Sequence, residues 1–176
     1  MRKSTRLLGV ASSALLLLAG ATGTASAGAD RPFKGTVAGE AAFEPVPTTV
    51  CSDVVIPELG MGLQTVSRAT GQFTHLGASS MYSAHCTPSG SAISGGAMTV
   101  KAANGDEVHM VYDGTADPMP ALGESLVVKG NFEIKGGTGR FAGASGNGKY
   151  VVTIVYEGLQ DMSWPGTWTY KGTIRY

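Results

Sequence analysis

Charge is scarce in this chain. Charged residues make up 15% of its 176 positions, and thirteen Lys and Arg offset thirteen Asp and Glu. No run of basic residues with interleaved aromatics occurs, which argues against nucleic acid as a partner. Histidine numbers three and cysteine two. There is no CxxC spacing, and His75, His85 and His109 fall singly on three separate strand-like segments. A metal site needs such ligands clustered, so neither a metal nor a cofactor is expected. No Gly-x-Ser-x-Gly elbow is present to present a serine nucleophile. No apolar run is long enough for a membrane-spanning helix, and no segment carries the period of a long amphipathic helix.

What is present begins with an export signature. Arg2, Lys3 and Arg6 precede an apolar run at residues 7–20, and Ala25-Ser26-Ala27 supplies small residues before a cleavage point. This pattern predicts a signal peptide over residues 1–27, removed before Gly28, and a secreted mature chain with no stable membrane insertion. No Cys follows the apolar run to accept a lipid. Processing removes three basic residues and no acidic one, leaving ten against thirteen, a net charge of about −3. Residues 28–176 are then one domain by length.

Cys51 and Cys86 remain as an isolated pair. In an oxidising compartment the simplest state is one disulfide between them.

The hydrophobic period along the chain is two. Phe33, Val37, Ala41 and Phe43 alternate with polar or small neighbours, as do Leu126, Val128, Phe132 and Ile134, and Trp168, Tyr170, Ile174 and Tyr176. These read as strands with one buried face. Weaker strands are expected near residues 62–75, 79–86, 97–102, 107–112 and 149–157. Asn104-Gly105 between two of them is a strong hairpin signal. Pro45, Pro47 and Pro57 mark an irregular excursion around Cys51, and Pro118 and Pro120 mark another. About eight strands in this length predict an all-β fold, a closed antiparallel calycin-like barrel in preference to a sandwich. The sandwich alternative lacks its Trp between the cysteines. Glycines within strands, as at Gly35, Gly39, Gly130 and Gly172, suit the bends of a small barrel.

Residues 136–146 read Gly-Gly-Thr-Gly-Arg-Phe-Ala-Gly-Ala-Ser-Gly. The following GxxxxGK string, from Gly143 to Lys149, is a decoy. Tyr150 stands where a phosphate loop needs Ser or Thr, and a strand follows where a helix is required. The better reading is a tight inter-strand passage in which Phe141 plugs the core and Arg140 turns away or meets an acid. With Thr74-His75-Leu76-Gly77, Ala103-Asn104-Gly105-Asp106-Glu107 and the terminal Gly172-Thr173-Ile174-Arg175-Tyr176, this segment resembles the barrel superfamily of allene oxide cyclases and dirigent proteins. The chain is most similar to secreted bacterial members of that superfamily. The resemblance implies an eight-stranded barrel with a central cavity, and allows a homo-oligomer formed through barrel surfaces. It assigns no catalytic residue here.

From the residues themselves, Glu40 and Glu133 would be catalytic candidates with Arg68 and Arg140 if the polar strand faces lined the lumen. His75 shares a face with Phe73 and is a candidate acid–base group. The adjacent Asp106-Glu107 cannot act as a pair, because strand neighbours point to opposite faces. Phe73, Met110, Tyr112, Phe132, Phe141 and Trp168 are the expected lining of an apolar pocket. The expected function is binding of a small apolar or aromatic molecule in the lumen. The alternatives are a cofactor-free cyclase or isomerase, working by enclosure and orientation, and an extracellular structural protein without a ligand.

Overall fold

A computed structural model describes residues 28–158 and 160–176; the expected leader, residues 1–27, lies outside this range. Among the described residues nine strands follow one another: β1 (Arg31–Val46), β2 (Val55–Ile56), β3 (Met61–Phe73), β4 (Gly77–Cys86), β5 (Ala92–Ala102), β6 (Glu107–Ala116), β7 (Ser125–Gly137), β8 (Ser145–Val155) and β9 (Ser163–Arg175). A single 3₁₀ turn, Gly139–Phe141, links β7 to β8. Every pairing is antiparallel. The order runs β1-β9-β8-β7-β6-β5-β4-β3, and β1 pairs with β3 to close an eight-stranded barrel. Closure leaves no exposed edge within the ring. The two-residue β2 lies outside it, paired to the start of β3.

The alternation read from the sequence sets the inside. Phe33, Val37 and Ala41 of β1, Leu126, Val128, Phe132 and Ile134 of β7, and Trp168, Tyr170 and Ile174 of β9 are all buried in one core cluster. Glycines on the inward face make room for rings. A Cβ at Gly35 would stand 2.2 Å from the Phe73 ring, one at Gly96 2.4 Å from the Tyr112 ring, and one at Gly130 2.6 Å from the Tyr150 ring. Small residues opposite large ones let a narrow barrel fill.

Several strands extend beyond their expected limits. β5 begins at Ala92, because a bulge between Ile93 and Gly96, with Gly95 at φ +64°, breaks the alternation that would have shown it. β9 begins at Ser163, since the Pro165-Gly166 pair imitates a turn while standing opposite Glu40 and Gly39 of β1. His75, expected at the end of a strand beside Phe73, lies instead in the three-residue hairpin loop after it. Phe73 pairs with Gly77, and His75 takes φ +69°, a conformation histidine tolerates better than most side chains.

The two ends of the barrel differ. One end is plugged: the Gly139–Phe141 turn folds inward, and Phe141, Phe33 and Ile174 are fully buried there. Phe141 meets Tyr176 edge-on at 4.8 Å, and Phe33 contacts Phe73 and Phe132 at 5.5 and 5.7 Å between ring centres. The other end, where β4, β6 and β8 finish and β5, β7 and β9 begin, carries the long connections. There the Cys51–Cys86 disulfide ties the irregular excursion between β1 and β3 to the last residue of β4.

Candidate functional site in the open half of the barrel

A small chamber of about 40 Å³ lies in the lumen above the plugged end, lined by residues from all eight ring strands, including Ser67, Ser83, His85, Met98, Tyr112, Tyr150, Trp168 and Tyr170. Its volume suits about three water molecules, at roughly 10–15 Å³ each. Ala41, Thr65, His85, Ile93, Val128 and Ile154 line both this chamber and a wider mouth of about 370 Å³ outside it. The mouth is mainly apolar, with Phe43, Ile93, Pro118, Met119, Leu126 and Trp164 on its walls. The lumen is therefore half solid and half open, and the open half narrows at a neck.

Polar groups sit at the neck and below it because β3 and β4 present their short polar side chains inward. Thr65, Ser67 and Ser83 are all buried. Ser67 stands opposite Ser83 across the β3–β4 ladder, and Thr65 opposite His85. Thr65 Oγ1 and Thr87 Oγ1 lie 2.8 Å apart. His85 Nδ1 lies 2.8 Å from the Tyr112 hydroxyl, and the rings meet edge-on. With the proton on Nε2, Tyr112 donates this hydrogen bond to Nδ1. Burial pushes the His85 imidazole down to about 4. It is therefore a neutral hydrogen-bonding ring at physiological pH. Burial likewise pushes the Tyr112 phenol up to about 12, against the opposing pull of a hydrogen bond with Ser83.

Deeper in the chamber, Tyr112 packs edge-on against Tyr150, and the Tyr150 and Tyr170 rings lie tilted at 31° to each other. The Tyr170 hydroxyl lies 3.1 and 3.2 Å from the sulfurs of Met81 and Met98, which share its single proton as acceptors. The Tyr150 hydroxyl is buried and has no hydrogen-bond partner among the described residues. Burial, together with Tyr112 and Asp113 nearby, pushes the Tyr150 phenol well above the ordinary tyrosine range.

The residues singled out from the sequence divide among these regions. Tyr112 and Trp168 line the chamber. Phe73, Met110, Phe132 and Phe141 are buried in the core but line neither the chamber nor its mouth. Glu40 is exposed on the outer face and accepts a hydrogen bond from Ser163. Glu133 is exposed and paired with Lys135 at 2.6 Å. Arg140 and His75 meet at the plugged end. Arg140 donates to the His75 carbonyl and lies 3.5 Å from Asp106, while His75 Nε2 sits 3.0 Å from the Pro32 carbonyl. None of these four lines the chamber or its mouth. His109 faces outward beside Glu107, whose carboxyl is held below the usual range by His109 and Lys101.

His85 is the group that sequence reasoning passed over. Its signal was phase: Ser79, Met81, Ser83 and His85 alternate, and Met81 belongs inside. Compared with known proteins, the chain matches no family model, no curated protein and no solved structure.

Proposed function

We propose that the protein is a secreted barrel that binds a small apolar or aromatic molecule in the open half of its lumen. The observation that carries this reading is the continuity of the apolar mouth with a mainly apolar chamber that also holds the buried hydroxyls of Ser67 and Ser83. A mouth of about 370 Å³ falls in the size range of small-ligand sites, roughly 300–1,000 Å³. An apolar concavity with a few convergent polar groups is the usual form of such a site. The export signature, the disulfide and the barrel fit an extracellular carrier or scavenger. The resemblance to the allene oxide cyclase and dirigent barrels supports the same use of the cavity. The direct experiment is purification from the native secretion, followed by organic extraction and mass spectrometry. A stoichiometric small hydrophobe is the expected result. Repeated recovery of empty protein that also takes up no hydrophobic compound would favour a structural role.

A second reading, a cofactor-free isomerase or cyclase, is favoured by one observation: the neutral His85 hydrogen-bonded to Tyr112 at the wall of a small chamber. Such a pair can relay a proton to a held substrate. This reading expects the extracted compound to differ from the compound supplied, and His85→Gln to stop that change while sparing uptake.

A further inference from the structure

We infer that the outer wall of the barrel, where β3, β1 and β9 lie side by side, is a second binding surface, and that it fits an acidic polysaccharide of the polyuronate kind, with one carboxylate on each sugar. This surface is separate from the lumen and does not depend on what the lumen holds.

The strand register builds a row of lysines. Lys34 of β1 stands directly opposite Lys171 of β9, and Lys171 directly opposite Lys149 of β8. All three are exposed. Like charges facing each other across strands destabilise a sheet. Elsewhere on the barrel lysines meet carboxylates, as Lys101 meets Glu107 and Lys135 meets Glu133. None of the three lysines in the row forms an ion pair among the described residues. The carboxylates on their own strands, Glu40 and Glu44, lie well along β1 from Lys34, roughly 20 Å away or more at about 3.3 Å per residue. Asp113 ends the row two strands beyond Lys149, and Asn131, which stands between them, donates a hydrogen bond to it. The row is thus a local excess of positive charge on a chain that is net acidic from Gly28 onward, and it calls for a counter-charge from outside.

Part of this row lines a groove. A shallow concavity of about 580 Å³ is lined by Lys34 and Lys171 together with Gln72, Thr36 and Thr169. The last three form a second cross-strand row beside the lysines, and all are exposed. Their amide and hydroxyl groups both donate and accept hydrogen bonds. A row of ammonium groups beside a row of neutral hydrogen-bonding groups matches a chain that carries carboxylates and hydroxyls together.

Neighbouring strands lie about 4.8 Å apart, so a polymer crossing them meets one ammonium per strand. A linear polyuronate repeats its carboxylate, once per sugar, at a comparable distance. Single-stranded nucleic acid fits less well, because no exposed residue of β1, β8 or β9 is aromatic and its bases would have nothing to stack on. A bilayer surface cannot follow a concave wall, whereas a single chain can lie in it.

Isothermal titration calorimetry with an oligogalacturonate at neutral pH tests the inference. The oligomer is expected to bind at low salt and to weaken as salt is raised, and its methyl ester is expected not to bind. Lys171→Gln is expected to weaken binding about three- to fivefold, and the double change Lys34→Gln with Lys171→Gln about tenfold or more. Both variants lose like-charge contacts, so their urea midpoints should not fall below that of the parent. Lys135→Gln removes the same charge away from the groove and should leave the affinity within about twofold. Equal weakening by Lys135→Gln would assign the binding to net charge and overturn the inference. Binding of the methyl ester as tightly as the acid would also overturn it. So would tighter binding of single-stranded DNA, or of phosphatidylcholine vesicles containing phosphatidylglycerol, than of the oligogalacturonate. An oligogalacturonate that gives no heat and no retention at low salt would overturn it outright.

Discussion

A histidine kept neutral by burial makes stability depend on acid. His85 titrates near 4 in the folded protein against an ordinary 6.5, so the unfolded chain holds more protons throughout that interval. Its contribution is fully present above about pH 6.5 and is lost as the pH falls towards 4. The loss is about 2–3 kcal/mol for a ring partly open to the mouth. Urea midpoints at pH 4.5 and 7.5 check this: His85→Gln should flatten the difference, and an unchanged difference would place the acid sensitivity elsewhere. Tyr150 makes the opposite kind of prediction. Its hydroxyl makes no hydrogen bond to lose, so Tyr150→Phe should leave unfolding free energy unchanged or raise it by up to about 1 kcal/mol. At this scale the sequence was legible where a face was apolar, as for Trp168 and Tyr112. It was least legible on β4, where Ser79, Ser80 and Ser83 put hydroxyls on both faces. Composition could not say which face was inside, and His85 went with the ambiguous one.

Among the elements, the connection from β7 to β8 matters most for the shape of the lumen. The glycine-rich stretch reverses the chain in a single turn, with Gly139 at φ +57° and Gly143 at φ +77°, and drops Phe141 into the barrel end. Glycine takes such conformations at little cost, and a Cβ at Gly139 would also run into the Asp106 carboxylate. Phe141→Ala should therefore destabilise by about 3–5 kcal/mol, read from equilibrium denaturation, as removal of a fully buried ring does elsewhere. The residue pattern of this stretch foretold both the plug and the outward Arg140. What stayed hidden was the consequence that Phe73 and Phe132 belong to the filled half rather than to the pocket. That depends on how far the plug reaches down the lumen, which strand alternation does not encode. The bulge in β5 and the Pro165-Gly166 pair in β9 concealed strand starts for a related reason: local chemistry that reads as a break is accommodated by the ladder.

For the whole molecule, closure of the ring is the organising fact, since β1 pairs with both β9 and β3. The disulfide acts on this closed body from outside. It spans 35 residues of sequence and holds the excursion before β3 against the end of β4, immediately beside His85. In the chain-entropy view a loop of that length is worth about 3–4 kcal/mol. Reduction should lower the denaturation midpoint accordingly while the far-ultraviolet β signal persists. The central claim is that one end of this barrel is solid and the other receives a ligand. Nuclear magnetic resonance during titration with 4-phenyl-1-butanol tests it most directly. The account predicts shifts in the indole signals of Trp164 and Trp168 and in the ring of His85, with the amides of Phe33, Phe141 and Ile174 at the plugged end unmoved. Shifts confined to the outer faces of the strands, or an unchanged spectrum at saturating ligand, would contradict it.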